Sequence, residues 1–147
     1  MAQTQMWHDE GLNLVLDVAF PGGVSMPANC YLGLDARVAL ADTDTTADID
    51  GEPAGDGYAR QAIVNATDWT LQQDPGTGKW EVLSAEVTFS ADGGDWPEVT
   101  NMFLMCTVGS ATEVLIASAK LTAPRTIHDG ESLPCRIKLR PRELVGT

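Results

Sequence analysis

Between residues 58 and 140 the chain is cut into short β-type runs by turn residues, and this punctuation limits the fold more than any other feature. The runs are 58–64, 69–73, 80–91, 102–108, 113–121 and 135–140. DPGTGK at 74–79 has the Pro and Gly of a hairpin turn. Gly109-Ser110-Ala111-Thr112 makes another, and Asp129-Gly130 precedes the last run. In 80–91, Leu83, Ala85, Val87 and Phe89 share one face, while Val82, Ser84, Glu86 and Thr88 share the other. That alternation predicts a half-buried antiparallel strand. Residues 102–108 are apolar but for Thr107, as a central strand covered on both faces would be. Leu115, Ala117, Ala119 and Leu121 fall on one face, and Cys135, Ile137 and Leu139 alternate with Arg136, Lys138 and Arg140. Six or seven such strands predict a mainly β fold, an antiparallel β-sandwich or jelly-roll-like domain.

The first third reads differently. Residues 12–20, LNLVLDVAF, show neither clean alternation nor a narrow stripe. Asp9 could cap a helix there and Pro21-Gly22-Gly23 would stop it, so a short buried helix is expected, with a strand as the alternative. Residues 1–10 are expected as an arm. Residues 30–34, CYLGL, form a compact β-type run, and 38–57 a long loop of Asp, Thr and Gly. Loops of this length in a compact domain are usually functional or ordered by a partner. At 147 residues, one domain spanning 1–147 is expected, burying roughly 68–70% of its unfolded surface.

The formal net charge of −12 argues against nucleic acid as a partner. No apolar run approaches the ~18–20 residues of a membrane span, so no membrane partner is expected. The first ten residues have no basic region before an apolar stretch and do not read as a signal peptide. Cys30, Cys106 and Cys135 form no CxxC pair and read as buried free thiols of a protein made in a reducing cytoplasm. Asn65-Ala66-Thr67 is then a chance glycosylation sequon.

Charge is uneven along the chain. Six acids (Asp42, Asp44, Asp48, Asp50, Glu52 and Asp56) lie between 42 and 56 with no base among them. Six of the nine bases follow from Lys120 onward: Lys120, Arg125, Arg136, Lys138, Arg140 and Arg142. Opposite charge at two ends suits packing between copies, with acidic loop against basic strand. Two solvated faces, or an edge strand guarded by Lys and Arg, account for the same pattern.

Tests for chemistry in ADIDGEPAGDGYARQAI (47–63) fail on spacing. With Gly51 at the sixth position of a calcium loop, Asp50 and Asp48 fit, but Thr46 and Gly57 stand where acids belong. Gly55-Asp56-Gly57-Tyr58-Ala59-Arg60 begins as a phosphate loop but has Arg where the third Gly is required. No metal or cofactor is therefore expected. Only His8 and His128 exist, no Ser lies in a GxSxG elbow, and no catalytic residues are assigned. In the strand reading Tyr58 and Arg60 point to one side, Tyr58 as an anchor and Arg60 as partner to a carboxylate within or between subunits. Of Trp7, Trp69, Trp80 and Trp96, the last three flank turns and could stack on sugars, although large rings are mostly buried on average.

The order LDVAF (16–20), YLGL (31–34), an acidic Thr/Asp loop, GEP (51–53), GYARQ (57–61), Trp96 and GESL (130–133) resembles small structural proteins of tailed bacteriophages. The resemblance runs over residues 12–140. It implies a non-enzymatic virion protein, and within that class a capsid cement or decoration protein on the head surface, assembled in the host cytoplasm. The implied partners are the major capsid protein and copies of itself, with a trimer matching local threefold positions. A tail or tail-fibre component is the alternative. A carbohydrate-binding β-sandwich module stands further off, and an enzyme last.

Overall fold

The computed structural model describes residues 5–20, 23–37, 40–109 and 111–140. The strands are β1 (Gln5–Trp7), β2 (Asn29–Asp35), β3 (Gln61–Val64), β4 (Trp69–Gln73), β5 (Trp80–Ser84), β6 (Val87–Ser90), β7 (Val99–Val108), β8 (Thr112–Arg125), β9 (Ser132–Cys135) and β10 (Lys138–Leu139). One helix, α1 (Asp9–Ala19), follows β1, and a single 3-10 turn, Thr46–Asp48, interrupts the acidic loop. The fold is mainly β with antiparallel pairing throughout, as the run-and-turn pattern predicts. A five-stranded sheet has the order β1-β8-β7-β2-β3, a three-stranded sheet β10-β5-β4, and β6 pairs with β9 alone.

The apolar run 102–108 lies in β7, flanked by β8 and β2 and buried along almost its whole length. Its two faces have different covers. Cys30, Leu32 and Leu34 stand opposite Cys106, Leu104 and Met102 and share their face. That face meets Phe89, Leu133 and Leu139 of the smaller sheets, with Ile137 from the link between β9 and β10, in the main core. On the reverse, Phe103, Met105 and Leu115 form a second cluster with Tyr31 and Ile49. Gly33 makes this face workable, because a Cβ there would lie 2.3 Å from the Phe103 ring. The aromatic ring covers the glycine across the strand pair.

α1 starts one residue earlier than Asp9 would set as cap. His8 is the N-cap, and Asp9 and Glu10 occupy the positive first turn. The helix lies on β8 at Gly11, where a Cβ would be 2.4 Å from the Ile116 Cα. Ahead of it, Gln5 to Trp7 pair with Ala119 to Ala117, so residues 5–7 of the expected arm form an edge strand.

Three expected runs change shape. The strand expected over 58–64 begins only at Gln61. The run 80–91 is two strands in two sheets, and so is 135–140. Both breaks occur at one corner: Leu83 faces Lys138 but Val87 faces Cys135, a shift of one residue in register. The buried Ser84 sits at the bend. Its N–H donates to the Ile137 carbonyl (2.9 Å) and its Oγ accepts from the Ile137 N–H (3.0 Å), while the Ala85 N–H continues the β4–β5 ladder to the Asp68 carbonyl (2.6 Å). The result is a bulge-type corner of the kind that redirects strands between sheets.

Candidate functional site

The long acidic loop is folded around cations of its own chain. Arg37 lies just before it. Its guanidinium donates to the Asp48 carbonyl (2.5 Å), contacts Asp44 Oδ2 (3.4 Å) and approaches the exposed Asp50 (3.7 Å). Asp44 also accepts the Ala41 N–H (2.8 Å), and the Asp42 carbonyl accepts the Asp9 N–H (2.9 Å). Asp48 closes a capping box by accepting from the Thr45 N–H and hydroxyl (2.9 and 3.2 Å), and those bonds hold its carboxyl below the usual range.

Where the loop rejoins the sheet, Glu52, Tyr58 and Arg60 form a closed network. Arg60 donates from Nε and Nη2 to the two Glu52 oxygens, 2.9 Å each, a bidentate pair. Its third nitrogen reaches Glu113 on β8 (3.3 Å), and its plane lies 5.4 Å over Phe103. These carboxylates raise the Arg60 pKa, the Glu52 bonds contributing most. The Tyr58 hydroxyl donates to Glu52 (2.8 Å) and accepts the Leu34 N–H (2.9 Å). Its ring stacks at 6.0 Å with Phe89 and meets Trp96 edge-on at 5.3 Å. Burial pushes the phenol well above its ordinary pKa. Gly57, with φ +79, supplies the turn before it, and the preceding Asp56 carbonyl accepts the Trp96 indole N–H (2.9 Å).

The basic strand is also paired internally. Glu81, buried on β5, accepts from Arg140 Nε (2.6 Å) and Gln72 Nε2 (3.0 Å), with Lys138 Nζ at 3.4 Å. Arg140 further bridges to Asp74 of the 74–79 turn. The Gln72 bond and these cations hold the Glu81 carboxyl below its usual range. Arg136 stands 3.9 Å from Glu86 at the corner. Arg142 lies outside the described residues. Within one chain, then, Lys138 and Arg140 meet Glu81 and Asp74, and Asp44, Asp48 and Asp50 meet Arg37. The signal for Arg37 in the sequence is slight: it is the nearest base on the N-terminal side of the acidic run.

Two other arrangements bear on chemistry. His8 Nε2 lies 2.9 Å from Ser118 Oγ, a base-to-hydroxyl distance, but both residues are buried, and a nucleophile needs access for substrate. His128 Nδ1 is 3.1 Å from Asp95 at the surface, an ion pair that raises the imidazole pKa. Among the described residues no group of three or more His, Cys, Asp or Glu is placed to hold a metal ion. Cys30, Cys106 and Cys135 are free and buried, and burial pushes the Cys135 thiol up to about 11. The tryptophans divide. Trp96 is in the core, Trp69 packs against it and donates to Asn65 Oδ1 (2.9 Å), Trp7 donates to the Arg140 carbonyl (2.7 Å), and Trp80 is exposed.

Arg37, Arg60, Lys138 and Arg140 thus pair with carboxylates of the same chain. No curated protein and no solved structure matches it. The family model described as podophage GP4 fiber I protein gp80 matches residues 7–139, from the edge strand to the end of β10. The chain therefore belongs to the podophage GP4 fiber I protein gp80 family and is a structural protein of tailed bacteriophages.

Proposed function

We propose that the chain is a non-enzymatic virion subunit that works in or at a tail fibre. The family match over 7–139 carries this reading, because the family is described by a fibre protein. On this reading the tail-fibre alternative is taken ahead of the capsid-cement assignment. The internal ion networks agree with a building-block role. They fix the long loop and the corner of the fold before any partner arrives, so assembly does not have to offset the entropy of ordering them. A subunit of this kind acts by repetition: contacts that are weak singly become firm when copies are tethered in one particle.

The test is separation of purified particles into heads and tails, with quantitative detection of the chain in each. Recovery with tails or detached fibres supports the proposal. Recovery with heads, together with restored heat resistance when the protein is added to stripped shells, would return the reading to capsid cement and decoration, with the major capsid protein as partner.

A further inference from the structure

β8 and β9 belong to different sheets, and a groove of about 370 Å³ lies between the last part of β8 and β9. Residues 121–125 line it from one side and residues 133–136 from the other, with the buried Met102 beside them. Both walls are strand edges left without a full ladder. From Asn101↔Lys120 the β7–β8 register jumps to Val99↔Arg125, so residues 121–124 have only Thr100 against them. On its other side, β8 is paired by β1 no further than Ala119. β9 pairs with β6 alone. Just past it, the N–H and carbonyl of Ile137 both bond to Ser84. By the two-residue period of extended chain, those of Arg136 turn the opposite way, to the free side of β9. The carbonyl of Pro134 turns with them, and a proline, having no N–H, suits that edge. The Arg136 N–H and carbonyl have no hydrogen-bond partner among the described residues.

The same groove holds the arginines that the fold leaves uncommitted. Of the five described, Arg37, Arg60 and Arg140 each reach a carboxylate of the same chain within 3.4 Å. The other two, Arg125 and Arg136, both line the groove. Arg125 is exposed and has no hydrogen bond or ion pair among the described residues, yet it lies close enough to β9 for its charge to act on the Cys135 thiol. Arg136 has only the 3.9 Å contact with the half-exposed Glu86. We propose that the groove takes an extended acidic segment of another protein, added as a strand beside β9 with its carboxylates on Arg125 and Arg136. A strand brings the carbonyl and N–H that the Arg136 backbone lacks as partners. Its alternate residues point one way, so two carboxylates spaced by one residue stand ~7 Å apart and can each meet a guanidinium fork. The incoming carboxylate displaces only the long contact to Glu86, of a kind that contributes little at a surface. A phosphodiester could meet the guanidiniums but brings no N–H for the Arg136 carbonyl. This chain's own acidic loop is a poor source of the segment, because Asp44 and Asp48 are bonded within it. The more distant acids of a chain of net charge −12 are screened beyond about 8 Å at physiological salt. The inference stands for a head or a tail position alike, so its failure leaves the location test unaffected.

Fluorescence anisotropy of a labelled peptide of about ten residues, alternating Glu and Val and titrated with the full chain, is the test; half-saturation is expected below about 1 mM. Arg125→Gln combined with Arg136→Gln should weaken binding at least ~10-fold, with circular dichroism and the unfolding midpoint unchanged because both side chains are exposed. Two changes made in the peptide leave the protein untouched. With Lys in place of Glu it should not bind, and N-methylation at alternate residues, which blocks a ladder, should cost at least ~10-fold. No binding at about 1 mM overturns the proposal. So does binding that survives the double substitution, the Lys exchange or the N-methylation. Self-association of the parent that the double substitution abolishes would give the groove to a second copy, and overturns it equally.

Discussion

Replacing Tyr58 with Phe removes one oxygen and leaves the ring, so it isolates what the hydroxyl contributes. That oxygen does the work of a missing strand. β3 pairs with β2 only as far as Gln61 opposite Leu32, so two residues further on the Leu34 N–H has no ladder partner on that edge. The Tyr58 hydroxyl takes its place at 2.9 Å and passes its own proton to Glu52 at 2.8 Å. In Tyr58→Phe, the N–H of the fully buried Leu34 loses its acceptor and Glu52 keeps only the Arg60 pair among these bonds. A buried unsatisfied N–H costs about 1–3 kcal/mol and a bond to a charged group contributes about 1.5–3 kcal/mol, but water can reach Glu52, so about 2–3 kcal/mol in total is expected. Contacts of the ring with Phe89 and Trp96 remain. Urea unfolding of the two proteins should show a lower midpoint for Tyr58→Phe at unchanged slope, since the same surface is exposed on unfolding. A loss below about 0.5 kcal/mol would refute the reasoning, because the hydroxyl would then be replaceable by water.

Other outcomes follow from the same geometry. Arg60→Ala should cost about 1–3 kcal/mol in urea unfolding, and Arg60→Lys should recover less than half, because Lys keeps the charge but not the bidentate fork to Glu52; equal stability of the Lys variant would show that charge alone suffices. Gly33→Ala should lower stability by about 1–3 kcal/mol, since the new Cβ meets the Phe103 ring, and an unchanged midpoint would mean that the ring moves aside freely. The two imidazoles should titrate by NMR on opposite sides of 6.5: His8 below it through burial, His128 above it through Asp95. Through His8 the unfolded chain takes up a proton that the fold refuses, so stability falls as pH drops from 6.5 toward its folded pKa. The His128 contribution has the opposite sign, present below 6.5 and lost as pH rises through its folded pKa. A His8 resonance titrating above 6.5 would contradict its buried, neutral state.

Much of the fold was legible where the signal is local. The apolar run of β7, the DPGTGK turn and the 30–34 strand follow from side-chain period and from residues that tolerate turn geometry. The corner at Ser84 was not legible, because the alternation Leu83, Ala85, Val87, Phe89 continues unbroken in the sequence while the chain changes sheet. At the bend the Ser84 hydroxyl takes the N–H of Ile137, 53 positions away, a contact that no local pattern encodes. At the candidate site, Tyr58 and Arg60 were visible as a pair set against an acidic loop, but their common partner Glu52 looked like any other acid in it. The charge asymmetry between the loop and the last strand was also visible. Its use was not, since Arg37 precedes the loop and Glu81 and Asp74 lie on a different hairpin from the strand they neutralise. Charge pairing across a fold depends on topology, which composition does not encode.

The central claim is that this chain is built into the virion. Quantitative mass spectrometry of density-purified particles tests it most directly. The account predicts the chain in intact particles in several copies each, at a fixed ratio to other virion proteins and resistant to washing. Its absence from particles, with the protein abundant in the infected lysate, would contradict the account.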